Sequence, residues 1–372
     1  MTFPIIQLSG SSFQQGVQQG QQLKEPIGQN LEIYFDRFLR EAHLERAEVL
    51  ERAAKMLEVI KRLNLEYYDG MRGISEGSGF SLLEIAALNV RYEILYYQFG
   101  EVALEEHGLA PRERVLDGCT AFAVMPEASS TNQLMIGQNW DWIPDVKGAI
   151  LHTKHDDGLE TLAFTEAGIF GGKLGLNSNG VGLCINGMTS MDDDWSRAVR
   201  PVHVRCYEIL KSRDFKNAVK IVTDEARACS VNLLVAQAPN MAVDLEAAPN
   251  GVRQVSCSLG SMAHTNHFLA PNEMGVIEPP SERRDNSRHR QKRMTQLLES
   301  KRPLALEDLQ TFLRDRDGGA DGICRYPNMD DPPEEHYVTV TAVIMNLETR
   351  EMWITDGQPD VNPFVHVKLE KR

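Results

Sequence analysis

With 372 residues, 42% hydrophobic and 25% charged, the chain has the make-up of a globular enzyme able to bury one large core or two modest ones. Lys plus Arg (39) against Asp plus Glu (53) leaves a net charge of −14, which repels phosphate backbones and anionic lipid, so neither nucleic acid nor membrane is expected as a partner. The opening MTFPIIQLSG lacks the pattern of a secretory signal, no apolar run approaches a membrane span, and the cysteines at 119, 184, 206, 229, 257 and 324 form no close pairs. A reduced, cytoplasmic chain is expected.

The first third reads as mostly helical. Ser11 or Ser12 is placed to cap FQQGVQQGQQLKEPIGQNLEIYFDRFL, with Pro26 marking a break or kink. LERAEVLERAAKMLEVIKRLNL carries an apolar stripe through Leu50, Ala54, Leu57 and Ile60. Ser81 and Glu84 form a capping box opening SLLEIAALNVRYEILYYQF, which is apolar enough to be buried.

After Cys119 the period shifts to alternation. CTAFAVMP, QLMIGQNWDW, AILHTKHD and ETLAFTEA read as strands, and Asn179-Gly180 as a hairpin turn. Helices follow at RPVHVRCYEILKS and at DFKNAVKIVTDEAR, the latter capped by Asp214. Strands return at SVNLLVAQAP, MAVDLEAAP and GVRQVSCS. The basic stretch RRDNSRHRQKR (residues 283–293) reads as a solvated helix face, ALEDLQTFLRDR as another helix, and YVTVTAVIMNLETREMWITDG as a closing strand pair. The pattern is α+β and layered, without repeats.

The chemistry centres on DGCTAF. A thiol at neutral pH is mostly protonated and needs a base. A freed α-amino group, with an ordinary pKa of about 7.7–8.0, can serve, provided the peptide bond before the cysteine has been cut. Gly118 suits such a cut because it lacks a Cβ. Taken alone, Gly-Cys fits a buried structural cysteine better. By the same measure Asp141 reads as a turn residue, Asn266 as a turn stabiliser and Arg325 as a surface ion pair, although Trp140 and Trp142 argue for an enclosed carboxylate. Cys184, Cys206 and Cys257 suit apolar packing, whereas Cys324 stands beside Arg325. The His203/Cys206 and His264/His267 spacings have no further ligand at a zinc-like interval, and GGKLGLNSNGVG is neither a P-loop nor a dinucleotide fingerprint but reads as strand connections. No metal or cofactor is expected.

DGCTAF, GQNWDW, HTNH and DGICR, in that order, together with QQGVQQGQQLKEPI and GISEGSGFSLLEIAALNVRYEI, resemble the acyl-coenzyme A:isopenicillin N (6-aminopenicillanic acid) acyltransferase family, peptidase family C45, of the N-terminal nucleophile hydrolases. The resemblance spans nearly the whole chain. It implies a four-layer αββα fold and a precursor that cuts itself between Gly118 and Cys119. Residues 1–118 would form a mostly helical smaller subunit and residues 119–372 the catalytic piece, the two remaining one compact unit. It further implies Cys119 as nucleophile, Asp141 as the acid orienting the new terminus, Asn266 as the oxyanion donor and Arg325 as the cation holding the site's carboxylates. The expected activity is an acyltransferase or amidohydrolase working through a Cys119 thioester on a small-molecule amide or thioester, with acyl-coenzyme A entering as a substrate. The terminal VKLEKR is no peroxisomal tripeptide, in which the chain departs from the fungal biosynthetic enzyme. The alternative is a non-catalytic binding protein that keeps the fold and is never processed.

Overall fold

The computed structural model describes residues 3–97, 118–279, 284–331, 333 and 336–369. Strand β1 (Ile5–Ser9) leads into helices α1 (Ser12–Gln22), α2 (Lys24–Arg40), α3 (Arg46–Leu63), α4 (Leu65–Ser78), α5 (Leu82–Asn89) and α6 (residues 91–97). Ser11 is the first cap and makes a full capping box with Gln14; Ser81 does the same with Glu84. Pro26 sits in the first turn of α2, where its missing N–H costs nothing, and the break falls just before it at Leu23. In α3 Leu57 and Ile60 of the expected stripe are buried, whereas Leu50 and Ala54 are half-buried and their neighbours Val49 and Ala53 take the core positions beside Met56. Helices α1 and α4 cross at glycines. A Cβ on Gly16 would overlap the Gly70 carbonyl and one on Gly73 the Phe13 carbonyl, so only glycine admits this approach.

The strands β2 (Thr120–Val124), β3 (Met135–Trp142), β4 (Gly148–Lys154), β5 (Glu160–Glu166), β6 (Leu174–Asn177) and β7 (Val181–Gly187) come next. Helices α7 (Val202–Leu210) and α8 (Phe215–Thr223), the latter capped by Asp214, precede β8 (Val231–Gln237), β9 (Met241–Ala248), β10 (Gly251–Val255) and β11 (Ser261–His264). The chain closes with α9 (Pro271–Met274), α10 (Arg284–Glu299), α11 (Leu306–Leu313), β12 (Val338–Asn346), β13 (Glu351–Ile354) and β14 (Val365–Lys368). At the expected hairpin Asn177 Oδ1 accepts from the backbone N–H of Asn179 and Val181, and Gly180 takes φ 75°.

An eight-stranded sheet in the order β1-β4-β5-β6-β7-β8-β9-β10 faces a six-stranded sheet in the order β11-β2-β3-β12-β13-β14. β2 and β3 meet β7 and β8 across the interior, α7 and α8 cover the outside of the larger sheet, and α10 and α11 cover the smaller one. This is the four-layer αββα arrangement. One apolar core joins the N-terminal helices to the space between the sheets; a second lies between the smaller sheet and α10–α11.

The helical first third also contributes β1, which pairs in parallel with β4. That strand, β6, β11 and β14 are absent from the sequence reading. They are short, with four or five residues each, and β6 lies in the glycine-rich stretch read as a mere connection. No helix among the described residues is long and apolar enough to cross a membrane.

Candidate active site

Cys119 lies at the mouth of β2 and is fully buried. Its neighbour Thr120 pairs with Asn139 of β3, which puts Cys119 against the Trp140–Asp141 end of that strand. The Sγ is 3.9 Å from the Asp141 carbonyl oxygen. Gly118 is held so closely that a Cβ on it would strike the Arg325 guanidinium and lie 3.0 Å from both Cβ and Oδ2 of Asp141. The need for glycine is therefore close approach, beyond the backbone freedom argued from sequence. Gly118, Cys119, Asp141 and Arg325 meet at one point.

Asp141 is buried at the end of β3, where it pairs with Thr339 at the start of β12. Thr339 of β12 donates its hydroxyl to Asp141 Oδ1 at 2.7 Å and accepts from the Arg325 backbone N–H at 2.8 Å. Trp140 and Trp142 point to the other side of the strand, toward the interior between the sheets, so they do not enclose the carboxylate. Thr339, Gly118 and Arg325 do that. Arg325 is 4% exposed, which excludes the surface-pair reading, and its Nη2 reaches Asp321 Oδ1 at 2.7 Å. The guanidinium also lies 5.8 Å from the Tyr337 ring centroid, and Arg37 of α2 donates to the Tyr337 hydroxyl. A residue of the helical third thus reaches the site through Tyr337.

The HTNH segment approaches from the opposite side. Asn266 is 7% exposed; its Nδ2 donates to Gly187 O at 3.0 Å and its backbone N–H to Ser287 Oγ at 2.8 Å. It is a tertiary bridge rather than a turn stabilised by its own side chain. The bridge to Cys119 is Arg290 of α10. Arg290 Nη1 donates to Cys119 O at 2.7 Å and Thr120 Oγ1 at 2.9 Å, while Nη2 donates to Asn266 Oδ1 at 3.0 Å.

Reading residues 283–293 as a solvated face is therefore wrong for Arg290, which is 1% exposed. The signal was present: Ser287, Arg290, Met294 and Leu298 recur at helical spacing and form the buried face of α10. The charge of the stretch hid that face. Thr339 was also missed, and it has no signal beyond lying in an alternating strand.

Within HTNH, buried His264 joins the two sheets. Its Nε2 contacts Glu246 Oε1 at 3.0 Å and lies 3.7 Å from Asp244 Oδ2, and its Nδ1 contacts Thr265 O at 2.9 Å. A carboxylate and a carbonyl can only accept, so both ring nitrogens carry a proton. Burial favours the neutral ring, yet Asp244 and Glu246 outweigh it and raise the His264 pKa. Burial pushes His267 the other way, to about 3.

Behind Trp142, whose Nε1 donates to Tyr34 at 2.7 Å, Glu166 accepts from Tyr34, Arg91 and Lys173. Burial alone would raise Glu166, but Arg91 and Lys173 hold it well below the usual carboxylate range.

Cys184 and Cys206 are fully buried and Cys257 partly so, which matches their packing role. The Cys324 thiol is engaged by Asp360 Oδ1 at 3.3 Å. Among the described residues no three His, Cys, Asp or Glu side chains converge as metal ligands would.

The family model described as acyl-coenzyme A:6-aminopenicillanic acid acyl-transferase matches residues 128–361. The 40 kDa form of the acyl-coenzyme A:6-aminopenicillanic-acid-acyltransferase of Emericella nidulans is 31% identical over 232 residues, which are 60% of this chain and 58% of that protein. The match thus spans somewhat over half the length of that relative. Matches among solved structures include a Caenorhabditis elegans N-acylethanolamine-hydrolyzing acid amidase ortholog, at 13% identity and a TM-score of 0.47 over 68% of this chain and 100% of that one. Another is a penicillin V acylase from Agrobacterium tumefaciens, at 12% identity and a TM-score of 0.44 over 68% and 86% of the two chains. With the family model covering more than half of its residues, the chain belongs to the acyl-coenzyme A:6-aminopenicillanic acid acyl-transferase family.

Proposed function

We propose that the protein is a self-processing acyltransferase or amide hydrolase whose nucleophile is Cys119 as a new N-terminus. The observation that carries this reading is the placing of the Gly118–Cys119 peptide. It is buried at the head of β2 against Asp141 and Arg325, and joined to Asn266 through Arg290.

In the first stage the Cys119 sulfur attacks the Gly118 carbonyl carbon. The C–N bond breaks, the nitrogen takes a proton to become the free amine of Cys119, and Gly118 is left on sulfur as a thioester. Water then releases the Gly118 carboxylate and restores the thiol. In turnover the amine accepts the thiol proton as sulfur attacks an acyl carbonyl. Charge gathers on the carbonyl oxygen, where the Asn266 amide donates. The proton passes to the departing amine or thiol, and the Cys119 thioester is resolved by water or by an amine. Asp141, beside the residue whose loss creates the terminus, favours the protonated amine, and Arg325 balances the carboxylates around it. The relative's name points to an amine as acceptor and an acyl thioester as donor; small acyl amides and thioesters are the substrates to screen first.

Intact mass spectrometry of the purified protein tests the cut. Two pieces are expected, one ending at Gly118 and one beginning at Cys119, with Cys119→Ala remaining full length and inactive against a panel of acyl p-nitroanilides and acyl-coenzyme A thioesters. A Cys119→Ala protein that still splits there without added protease would end the proposal. A folded wild-type protein that stays whole and turns over none of the panel favours the unprocessed binding protein instead.

A further inference from the structure

Arg290 is the largest charged group brought to Cys119 for which the reaction above has no use. Burying a guanidinium is costly unless its donors are met, and here they meet four oxygens: Cys119 O, Thr120 Oγ1, Asn266 Oδ1 and, through Nε at 2.9 Å, Asn286 Oδ1. A guanidinium has donors only, so it can face only the oxygen end of the Asn266 amide. That fixes which way the amide is turned. The Nδ2 end then points away from Arg290 and gives one N–H to Gly187 O. The same rigid fork grips the carbonyl of the nucleophile, so the distance between Cys119 and the Asn266 donor is set by one planar group.

We propose that Arg290 is a positioning residue that orients the Asn266 amide and registers it against Cys119. This rests on the assignment of those two residues above. A lysine in its place would keep the charge but could not hold both partners with one rigid geometry. Neither Asn286 nor Thr120 can substitute, because the Asn286 amide is engaged with Arg290 and the Asp321 carbonyl and the Thr120 hydroxyl with Arg290, not with Asn266.

The test uses the processed protein and p-nitrophenyl acetate, an activated ester that a thioester-forming cysteine cleaves whatever its natural substrate. Arg290→Lys and Arg290→Met are each made alone and with Asn266→Ala, and folding is checked by thermal melting. A loss of roughly tenfold in kcat is expected for Arg290→Lys and on the order of 10² for Arg290→Met, with KM changed less than about twofold. Each double variant should be no slower than Asn266→Ala alone, because an amide that is gone cannot be misturned. A purely structural role would instead add its loss to that of Asn266→Ala, or lower the melting temperature at normal kcat, and either result overturns the proposal. Should Arg290→Met fail to fold, Arg290→Lys decides through the same cycle. A folded Arg290→Lys that never cuts at Gly118 also overturns it, since the defect then precedes the amide. Normal ester turnover by Cys119→Ala would remove the nucleophile assignment itself, whereas an inactive Cys119→Ala beside a normal Arg290→Lys removes only the positioning role.

Discussion

Cys119 is served from two sides that differ in chemistry. On the Gly118 side stand a buried carboxylate and a guanidinium, Asp141 and Arg325, both tied to Thr339. On the carbonyl side stands a neutral amide, Asn266, whose orientation is set by Arg290 and whose backbone is set by Ser287. The first flank can change the affinity of a nearby amine for protons. The second cannot, because an amide does not titrate; it can only donate to charge that appears during attack. In the proposed reaction the two flanks therefore divide the work: one manages the proton and the other the oxyanion.

Among substitutions on the two flanks, the one expected to damage the reaction most is Asp141→Asn. An asparagine still offers an oxygen to the Thr339 hydroxyl, so the fold of the flank should survive while its charge is gone. Proton handling by a placed group contributes roughly 10²–10⁴-fold, and kcat/KM should fall within that range. The shape of the loss matters as much as its size. A neighbouring carboxylate raises an amine's pKa, so the alkaline-rising limb of kcat/KM should move to lower pH in the variant. Processing is checked first by mass, because an uncut precursor would imitate a catalytic defect. A processed variant whose rate and limb match the wild type would show that this flank does not handle the proton.

Asn266→Ala probes the opposite flank and should be the sharper contrast. Loss of one oxyanion donor costs roughly 10²–10³ in kcat, with KM nearly unchanged and the pH limb where it was. A shifted limb would mean that the two flanks are coupled, and the division of labour would not hold. If Asn266 only bridged to Gly187 and Ser287, the loss would appear as a lower melting temperature at normal kcat.

Much of this architecture was legible in the sequence because the relevant signals are local. Ser11 and Ser81 announce their helices through contacts three residues away, and the strands from Thr120 to Glu166 carry runs long enough to be recognised. Cys119, Asp141, Asn266 and Arg325 could be named from ordered motifs, and three of the four converge at Gly118. What could not be read depends on pairings between distant segments. β11 has four residues and exists because Ser261–His264 finds Val124–Ala121. Thr339 gains its place only when β12 is registered against β3 with an irregularity between Thr339 and Thr341. Arg290 was legible as part of a buried stripe, but its neighbours Arg288 and Lys292 are solvent-facing or nearly so and gave the segment the look of a polar helix. A charged residue at a core position is a stronger hint than the charge of the run around it.

The smallest effect concerns what holds the amide flank in place. His264, two residues before Asn266, is buried with protons on both ring nitrogens, and Asp244 and Glu246 raise its pKa. A group whose folded pKa exceeds its unfolded value binds its proton more tightly in the native state. Its contribution is therefore complete below the ordinary histidine value of about 6.5 and fades as pH rises through the raised folded value. A hydrogen bond to a charged group is worth roughly 1.5–3 kcal/mol, so a modest fall in melting temperature is expected on the alkaline side of 6.5. Glu93, which burial pushes up to about 7, loses stability in the same direction over an overlapping range, so the wild-type curve alone does not isolate the histidine. The comparison that does is His264→Gln against wild type. Without the imidazolium, Asp244 and Glu246 are left facing each other, and the variant's additional fall should move down into the carboxylate range while the difference between the two proteins narrows above neutrality. Melting curves that run parallel from mildly acidic to alkaline pH would mean that His264 carries no folding-linked charge. The HTNH segment would then be held by packing and neutral hydrogen bonds, and the amide flank would have no ionic anchor to set against the Asp141–Arg325 side.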